Sequence, residues 1–436
     1  MKENKVIFLL DMDAFFAHCH MAKDSSLKDK VLVVATPNRR AIISTASYNA
    51  RSYGIKSGMP LFKAKELCKD VYPVDSDFAL YIGYSQKVFD IIYNNFSKKI
   101  EVASIDECYI DATNKWQKFG SVKKCAIFLK NLVFEKTGLT CSIGISSNKF
   151  LAKSCVDFNK PNGVSILLPS EIEKKLWHLP IKDMYMIGSS TEKILKNNNI
   201  NLIGDLAKSS LEKILDLIGK RGLTLWNWAN GRGNDVVEEE KNELKSIGNE
   251  FTLNYTTSDT EEIEEMIYEL SCKVSDRSKK RFLKSKTITT IIRYERNTKQ
   301  DFDPKIHRKT VSNQTSIDKW TDEVEIIYSL AKENFYRIWN GEPISLIGVR
   351  LSNIIDSINA KDQLTINQIN LSESFLLNKK EKVLGNLKLK YGVKVIFTGD
   401  QLLKYNNKNR TQSKYLKNDD VHLSNKQITE KWSKKK

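Results

Sequence analysis

The sequence predicts a multidomain α+β protein, and three observations predict it. At 436 residues the chain exceeds what one hydrophobic core ordinarily organises, so three or four domains or subdomains are expected. Strand and helix patterns mix through residue 167, give way to helix alone over residues 169–233, and return to strands with two helices from residue 245. Between the last two regions lies NDVVEEEKNE (234–243), short, acidic and without periodicity, which reads as a linker.

Taken in order, residues 6–10, 31–35 and 41–44 read as strands and 47–53 and 61–68 as helices, with Gly58-Met59-Pro60 as the turn between those helices. Residues 79–96 carry a long helical pattern, 101–112 alternate as hairpin strands do, 122–137 return to helix, and 140–145 form an apolar strand. In the helical region Ile187-Gly188 and Ile218-Gly219 each precede a basic helix. Beyond residue 356 compact patterning fades, apart from a helix-like stretch near 376–391 and a strand at 393–397.

Composition limits what the chain can be. With 41% hydrophobic and 28% charged residues it has the apolar material to fold in water. No apolar run approaches the roughly 18 residues of a membrane span, and MKENKVIF lacks a signal-peptide layout, so a cytoplasmic protein is expected. Seven cysteines, scattered and without a Cys-x-x-Cys pair, suggest reduced structural thiols rather than a disulfide framework or zinc site. The formal charge of +17 and pI near 9.3 imply a polyanionic partner, nucleic acid first of all. Basic residues are densest at 273–309, which reads as a basic sheet edge around the β-branched run 287–292, and at 404–436, an Asn-rich tail whose charge serves to solvate it.

The chemistry begins in IFLLDMDAFFAHCH (7–20), where a buried-strand pattern carries Asp11 and Asp13 two residues apart. Alternation points both carboxylates to one side, and buried charge calls for a cation. In VASIDECYID (102–111) the adjacent Asp106 and Glu107 interrupt a strand; both can serve one site only at a hairpin tip. Three carboxylates brought together need cations, and oxygen-only ligands favour Mg²⁺ or Mn²⁺. In AIISTASYNARSYGIKSGMP (41–60) Tyr48 and Arg51 share a helix face and offer a hydroxyl and a bidentate fork to phosphate. Lys160 in NKPNG (159–163) is a third cation, and the first amides of a helix starting at Phe15 and Phe16 complete a phosphate cradle. Each element has a plainer reading: a chance acidic pair, a solvated hairpin tip, surface cations.

As an ordered set, DMDAFFA (11–17), STASYNARSYGIKSGMP (44–60), SIDECYID (104–111), GISSNKFLAK (144–153) and NKPNG (159–163) resemble the Y-family, or translesion, DNA polymerases of the bacterial DNA polymerase IV and UmuC type. The resemblance covers roughly residues 4–355. It implies a right hand with a palm at 1–22 and 79–167, fingers at 23–78 and a helical thumb with helix-hairpin-helix-like turns at 168–233. A linker at 234–244 then leads to an α/β little-finger DNA-binding domain at 245–356 and a C-terminal tail at 357–436. It further implies a low-fidelity, template-directed DNA polymerase in translesion synthesis and repair, working with two Mg²⁺ ions, or Mn²⁺ in their place, on primer–template DNA and deoxynucleoside triphosphates. Such an enzyme is expected to be a monomer, unattached to membranes, that engages a sliding clamp.

Position by position, the resemblance makes Asp11, Asp106 and Glu107 the metal-binding carboxylates and the Met12 carbonyl a further ligand, while Asp13 matches an acid that does not usually bind metal. Thr45, Tyr48, Arg51 and Lys160 match nucleotide contacts, and Phe16 matches the steric gate beside the sugar, with Phe15 supporting the backbone. Ala41, Ser44 and Ala46 match the small residues over the nascent base pair. Two departures stand out. In the thumb turn DMYMIGS (183–189), Met186 replaces a glycine, and its Cβ disturbs a turn that offers amides to DNA. In the tail, Gln368, Ile369 and Leu371 of QINLS (368–372) resemble a clamp-binding peptide, with Ser372 where an aromatic is common. The competing readings are a two-metal nuclease, which has no use for a sugar gate, and a non-catalytic DNA-binding repair scaffold, which leaves the acids unexplained.

Overall fold

The apolar run that opens the chain becomes the central strand of the first sheet. The computed structural model describes residues 5–36, 41–238, 244–294 and 310–360. These fall into two compact units, 5–238 and 244–360. In the first, strand β1 (Ile7–Met12) leads into helix α1 (Phe15–Lys23), followed by β2 (Val31–Val34), β3 (Thr45–Ala46), α2 (Tyr48–Ser52), α3 (Leu61–Leu67) and β4 (Val71–Val74). Next come α4 (Phe78–Asn95), β5 (Ile100–Val102), β6 (Glu107–Asp111), α5 (Val122–Thr137), β7 (Cys141–Ser146), α6 (Lys149–Cys155) and β8 (Val164–Ile166).

The main sheet runs β5-β6-β1-β7-β8, antiparallel except for the β7–β8 pair. Both faces of β1 are buried, which explains its near-continuous hydrophobicity. Phe8, Leu10 and Met12 enter a core with Phe89 and Ile92 of α4 and Leu129 and Val133 of α5. Ile7 and Leu9 pack with Ala152 and Val156 on the other side. Alternation assigns Asp11 to this second face, which α6 covers. Gly144 lets α6 approach: a Cβ there would stand 2.1 Å from the Ala152 carbonyl oxygen.

A small sheet, β3-β2-β4, builds a separate core from Val33, Ile43, Ala46, Ala50, Ile55 and Leu61. The strand expected at 41–44 is not one. The Ile43 N–H donates to the Met59 carbonyl and the Gly58 N–H to the Ile43 carbonyl, so the turn satisfies this backbone, and the ladder with β2 begins at Thr45. Strand β4 is hidden in the sequence because Pro73 interrupts it; proline is tolerated here because β4 is an edge strand.

Residues 169–233 are helical, with α7 (Ile172–Lys175), α8 (Ser189–Lys196), α9 (Ile203–Lys208), α10 (Leu211–Ile218) and α11 (Lys220–Ala229) around Ile181, Leu195, Leu206, Ile214 and Leu225. The Trp177 and Trp226 indoles donate to the Ala229 and Ser209 carbonyls, which lets polar ring atoms enter an apolar core.

The second unit comprises β9 (Ser246–Thr257), α12 (Thr260–Lys280), β10 (Leu283–Tyr294), β11 (Thr310–Thr321), α13 (Val324–Ile338) and β12 (Ile344–Asp356). Its antiparallel sheet runs β11-β10-β12-β9, with Ile288, Ile292, Ile347 and Val349 packed on Ile263 and Leu270 of α12 and Ile327 and Phe335 of α13. Residues 287–292 are therefore not a sheet edge. The run TITTII pairs on both sides, as β-branched interior strands do, and much of the nearby positive charge lies instead in the last turn of α12, at Arg277, Lys279 and Lys280. None of the seven cysteines is in a disulfide, and six are buried. Among the described residues no helix is long and apolar enough to cross a membrane. The expected elements at 376–391 and 393–397, the segment 368–372 and the basic tail 404–436 lie outside the described residues, as does much of 273–309 beyond Tyr294.

Candidate active site

Strand pairing alone puts two carboxylates side by side: in the antiparallel register of β1 and β6, Asp11 lies opposite Glu107. The preceding tip, residues 103–106, is fastened at three points. Met12 N–H donates to the Asp106 carbonyl at 3.0 Å, Ser85 Oγ of α4 to the Ile105 carbonyl at 2.5 Å, and Ser104 Oγ to Asp106 Oδ1 at 2.5 Å. The acidic pair that interrupts the alternating pattern therefore sits where a hairpin turns: Asp106 ends the tip and Glu107 opens β6, so the two are not bound by the opposite-face rule of a regular strand.

Two lysines meet these acids. Lys153, on α6, places Nζ 2.5 Å from Glu107 Oε1 and 3.5 Å from Asp11 Oδ2. Lys160 places Nζ 2.9 Å from Asp11 Oδ1 and 2.7 Å from Asp157. Burial raises the pKa of Asp106 and Glu107, and the Asp11 charge raises both further, against the opposing pull of Lys153. Burial pulls the Lys160 ammonium down, but Asp11 and Asp157 outweigh it and hold the group above its ordinary range. Asp11 thus has the cation that a buried carboxylate requires.

Asp13 does different work. It stands past the end of β1, where Ser142 Oγ donates to its Oδ1 at 2.7 Å and the Asn162 N–H to its Oδ2 at 2.8 Å. Those bonds tie the NKPNG loop, and Lys160 with it, to the end of the sheet. Lys130 of α5 donates to the Asn162 carbonyl from the other side. Gly163 is required by space, since a Cβ there would meet the Asn159 carbonyl oxygen at 1.8 Å. The opening Asp-x-Asp pair therefore divides its labour between the carboxylate cluster and the loop that carries Lys160.

From the small sheet come Thr45 on β3 and Tyr48 and Arg51 on α2, a helix capped by Ser47, which accepts from the Ala50 N–H. The Arg51 guanidinium lies 4.6 Å from the Tyr48 ring centroid, and its Nε donates to the Ala46 carbonyl at 3.0 Å. Burial raises the Tyr48 pKa; Asp13 raises it too, while Arg51 and Lys160 oppose. The hydroxyl thus shares one electrostatic environment with both aspartates and both cations. At the start of α1, whose N-terminus has no side-chain cap, Phe15 is buried and Phe16 half-buried, their ring centroids 5.7 Å apart.

The oxygen donors suit a hard divalent cation: three carboxylates and the Met12 carbonyl, with no histidine or cysteine among them. Among the described residues no three Asp, Glu, His or Cys side chains form a ready ion cage, Asp106 being bonded to Ser104. The chemistry nevertheless fits such an ion, because two half-buried acids with raised pKa and the buried Asp11 opposite require positive charge to ionise together. Sequence reasoning missed Lys153, Ser104 and Ser85. Lys153 had a faint signal in its four-residue spacing from Lys149, which pairs with Glu101 at 2.7 Å. Gln368, Ile369 and Leu371 lie outside the described residues.

A mixed sheet carrying acids beside two lysines, followed along the chain by a helical region and a separately cored α/β unit, has the order of parts expected of a right-hand nucleotidyl transferase. The profile of the impB/mucB/samB family matches residues 10–157, that of its C-terminal domain 244–366, and that of its HHH motif 169–200. The DNA polymerase IV of Oceanobacillus iheyensis is 34% identical over 403 residues, covering 91% of this chain and 92% of the relative. That of Bacillus anthracis is 33% identical over 424 residues, with 95% and 98% covered. A solved Y-family DNA polymerase chimera of Dbh and Dpo4 superposes with a TM-score of 0.68 at 28% identity, covering 80% of this chain and 99% of that one. An insertion ternary complex of Dbh DNA polymerase gives 0.55 at the same identity and coverage. The chain belongs to this family, that of the Y-family, or translesion, DNA polymerases.

Proposed function

We propose that the chain extends a primer on template DNA by two-metal-ion nucleotidyl transfer at Asp11, Asp106 and Glu107. The observation that carries this reading is the Asp11–Glu107 pair across β1 and β6, with Lys160 on Asp11 and its loop anchored by Asp13. The three carboxylates and the Met12 carbonyl would hold two Mg²⁺ ions, or Mn²⁺, which when bound would lower the pKa of the primer 3′-hydroxyl and supply charge for the leaving pyrophosphate. The protein's own groups do the rest. Lys160, Arg51 and Tyr48 offset charge on the triphosphate, Arg51 as a fork and Tyr48 through its hydroxyl. Thr45 adds a contact, Phe15 packs behind the turn, and Phe16 meets the sugar. Ala41, Ser44 and Ala46 leave room over the nascent base pair, which suits damaged templates.

In this reading the first unit supplies palm, fingers and thumb, the second is the little finger, and the tail offers Gln368, Ile369 and Leu371 to a sliding clamp while the enzyme acts as a monomer. Asp11→Ala, or Asp106→Ala with Glu107→Ala, is expected to cut primer extension by several orders of magnitude with DNA affinity retained, because these groups act in the transition state. Near-normal extension in either variant rules the site out. Degradation of the primer by the wild-type protein would favour the nuclease, and no incorporation at all the scaffold.

A further inference from the structure

The sugar-facing ring does not stand alone. Phe16 stacks on Tyr81 of α4, with ring centroids 4.2 Å apart and planes inclined by 13°. Tyr81 is fully buried. Four residues after Phe16, on the same face of α1, His20 places Nε2 2.8 Å from the Tyr81 hydroxyl, and the imidazole meets that ring edge-on at 5.6 Å and 74°. One helix therefore addresses one tyrosine twice, once on its face and once on its hydroxyl. Burial lowers the His20 pKa and pushes Tyr81 up to about 12, so the bond joins two neutral groups at neutral pH.

A buried phenol needs a partner for its hydroxyl, and the choice of partner fixes how far the ring can slide in its plane. Phe78, edge-on to both rings at 6.1 and 5.7 Å, and Phe15, tilted against Tyr81 at 6.4 Å, confine the ring, and the Asp77 backbone also bonds its hydroxyl. The hydrogen bond from α1 adds a side-chain restraint on that hydroxyl. We propose that His20 is a positioning residue for sugar discrimination: by holding the Tyr81 hydroxyl it fixes the ring on which Phe16 rests, and so the space left beside C2′ of an incoming nucleotide. The proposal rests on Phe16 being the ring that meets the sugar. Since steric rejection depends on a wall that does not yield, losing the bond widens the gate without removing it.

The test is single-nucleotide insertion of a deoxynucleoside triphosphate and its ribonucleotide counterpart, expressed as a ratio of kcat/KM. His20→Ala, and Tyr81→Phe, which keeps the stack and deletes the hydroxyl, are each expected to lower the ratio about tenfold, as small displacements of positioning groups do. The double variant should lose no more than Tyr81→Phe alone, which already deletes the hydroxyl that His20 holds. His20→Gln, which can still reach the hydroxyl, should restore most of the ratio. Ratios in both single variants matching wild type, or equal losses for both nucleotides, overturn the proposal. Phe16→Ala run alongside separates the two failures. If it admits ribonucleotides while the His20 and Tyr81 variants do not, His20 has no positioning role; if it too discriminates as wild type, the gate reading itself falls.

Discussion

Asp13 shows how much a single buried side chain can organise. Its two oxygens accept from Ser142 and from the Asn162 backbone, so it connects β7 to the loop holding Lys160. Hydrogen bonds to a charged acceptor contribute about 1.5–3 kcal/mol each, enough to hold a short loop in place. Asp13→Asn replaces one acceptor by an amide that cannot receive the Asn162 N–H. The loop should loosen, and Lys160, which the proposed function assigns to the triphosphate, should lose its fixed position beside Asp11. We expect the nucleotide KM to rise about tenfold, which corresponds to roughly 1.4 kcal/mol, while DNA affinity stays at the wild-type value. Steady-state insertion kinetics beside anisotropy titrations with primed DNA would measure both, and an unchanged KM would show that the loop holds without Asp13.

The elements near the site were legible because their patterns are local. The α5 boundaries, the hairpin tip at Asp106-Glu107 and the helix beginning at Phe15 follow from periodicity, from two adjacent acids and from a polar break after an apolar run. What could not be read is what depends on partners distant in sequence. Lys153 reaches Asp11 across 142 positions of chain because Gly144 admits α6, and β10 is interior because β11 and β12 arrive on its two sides. Met186 in the thumb turn is intermediate. Its sequence implies a disturbed turn, yet the backbone adopts φ 70°, the left-handed conformation glycine would take, and Arg221 donates to its carbonyl. The turn keeps its shape and bears the strain of a Cβ there, about 1–2 kcal/mol. Met186→Gly should relieve part of it and raise the unfolding midpoint by about 2–4 °C, with DNA affinity equal or tighter. A lower midpoint would mean that the half-exposed methionine side chain contributes packing worth more than the strain.

At the scale of the whole molecule the question is how a strongly basic protein distributes its grip between two independently cored units. The second unit has its own hydrophobic core, with α12 and α13 covering one face of a four-stranded sheet. Its opposite face carries Arg293 on β10, the exposed Ser312, Gln314 and Ser316 on β11, and Arg350, paired with Glu250, on β12, by alternation with the buried Ile288, Ile292, Val349 and Leu351. Such a surface suits a sugar–phosphate backbone rather than base edges: hydroxyls and guanidinium groups at strand spacing, with no protruding recognition helix among the described residues. Binding through phosphates releases counterions, so log affinity falls linearly with log salt, by about 0.9 per phosphate neutralised on duplex DNA. If the second unit grips these phosphates, a chain ending at residue 243 should bind primed DNA more weakly, and its slope should flatten by about 0.9 for each phosphate it no longer neutralises. Because the carboxylates and Lys160 all belong to the first unit, the shortened chain should still insert single nucleotides at high DNA concentration, with processivity reduced. Affinity measured from about 50 to 300 mM salt for both chains decides the matter, since the salt slope counts the phosphates neutralised: an unchanged slope would place the phosphate grip in the first unit and leave the charge of the second as solvation.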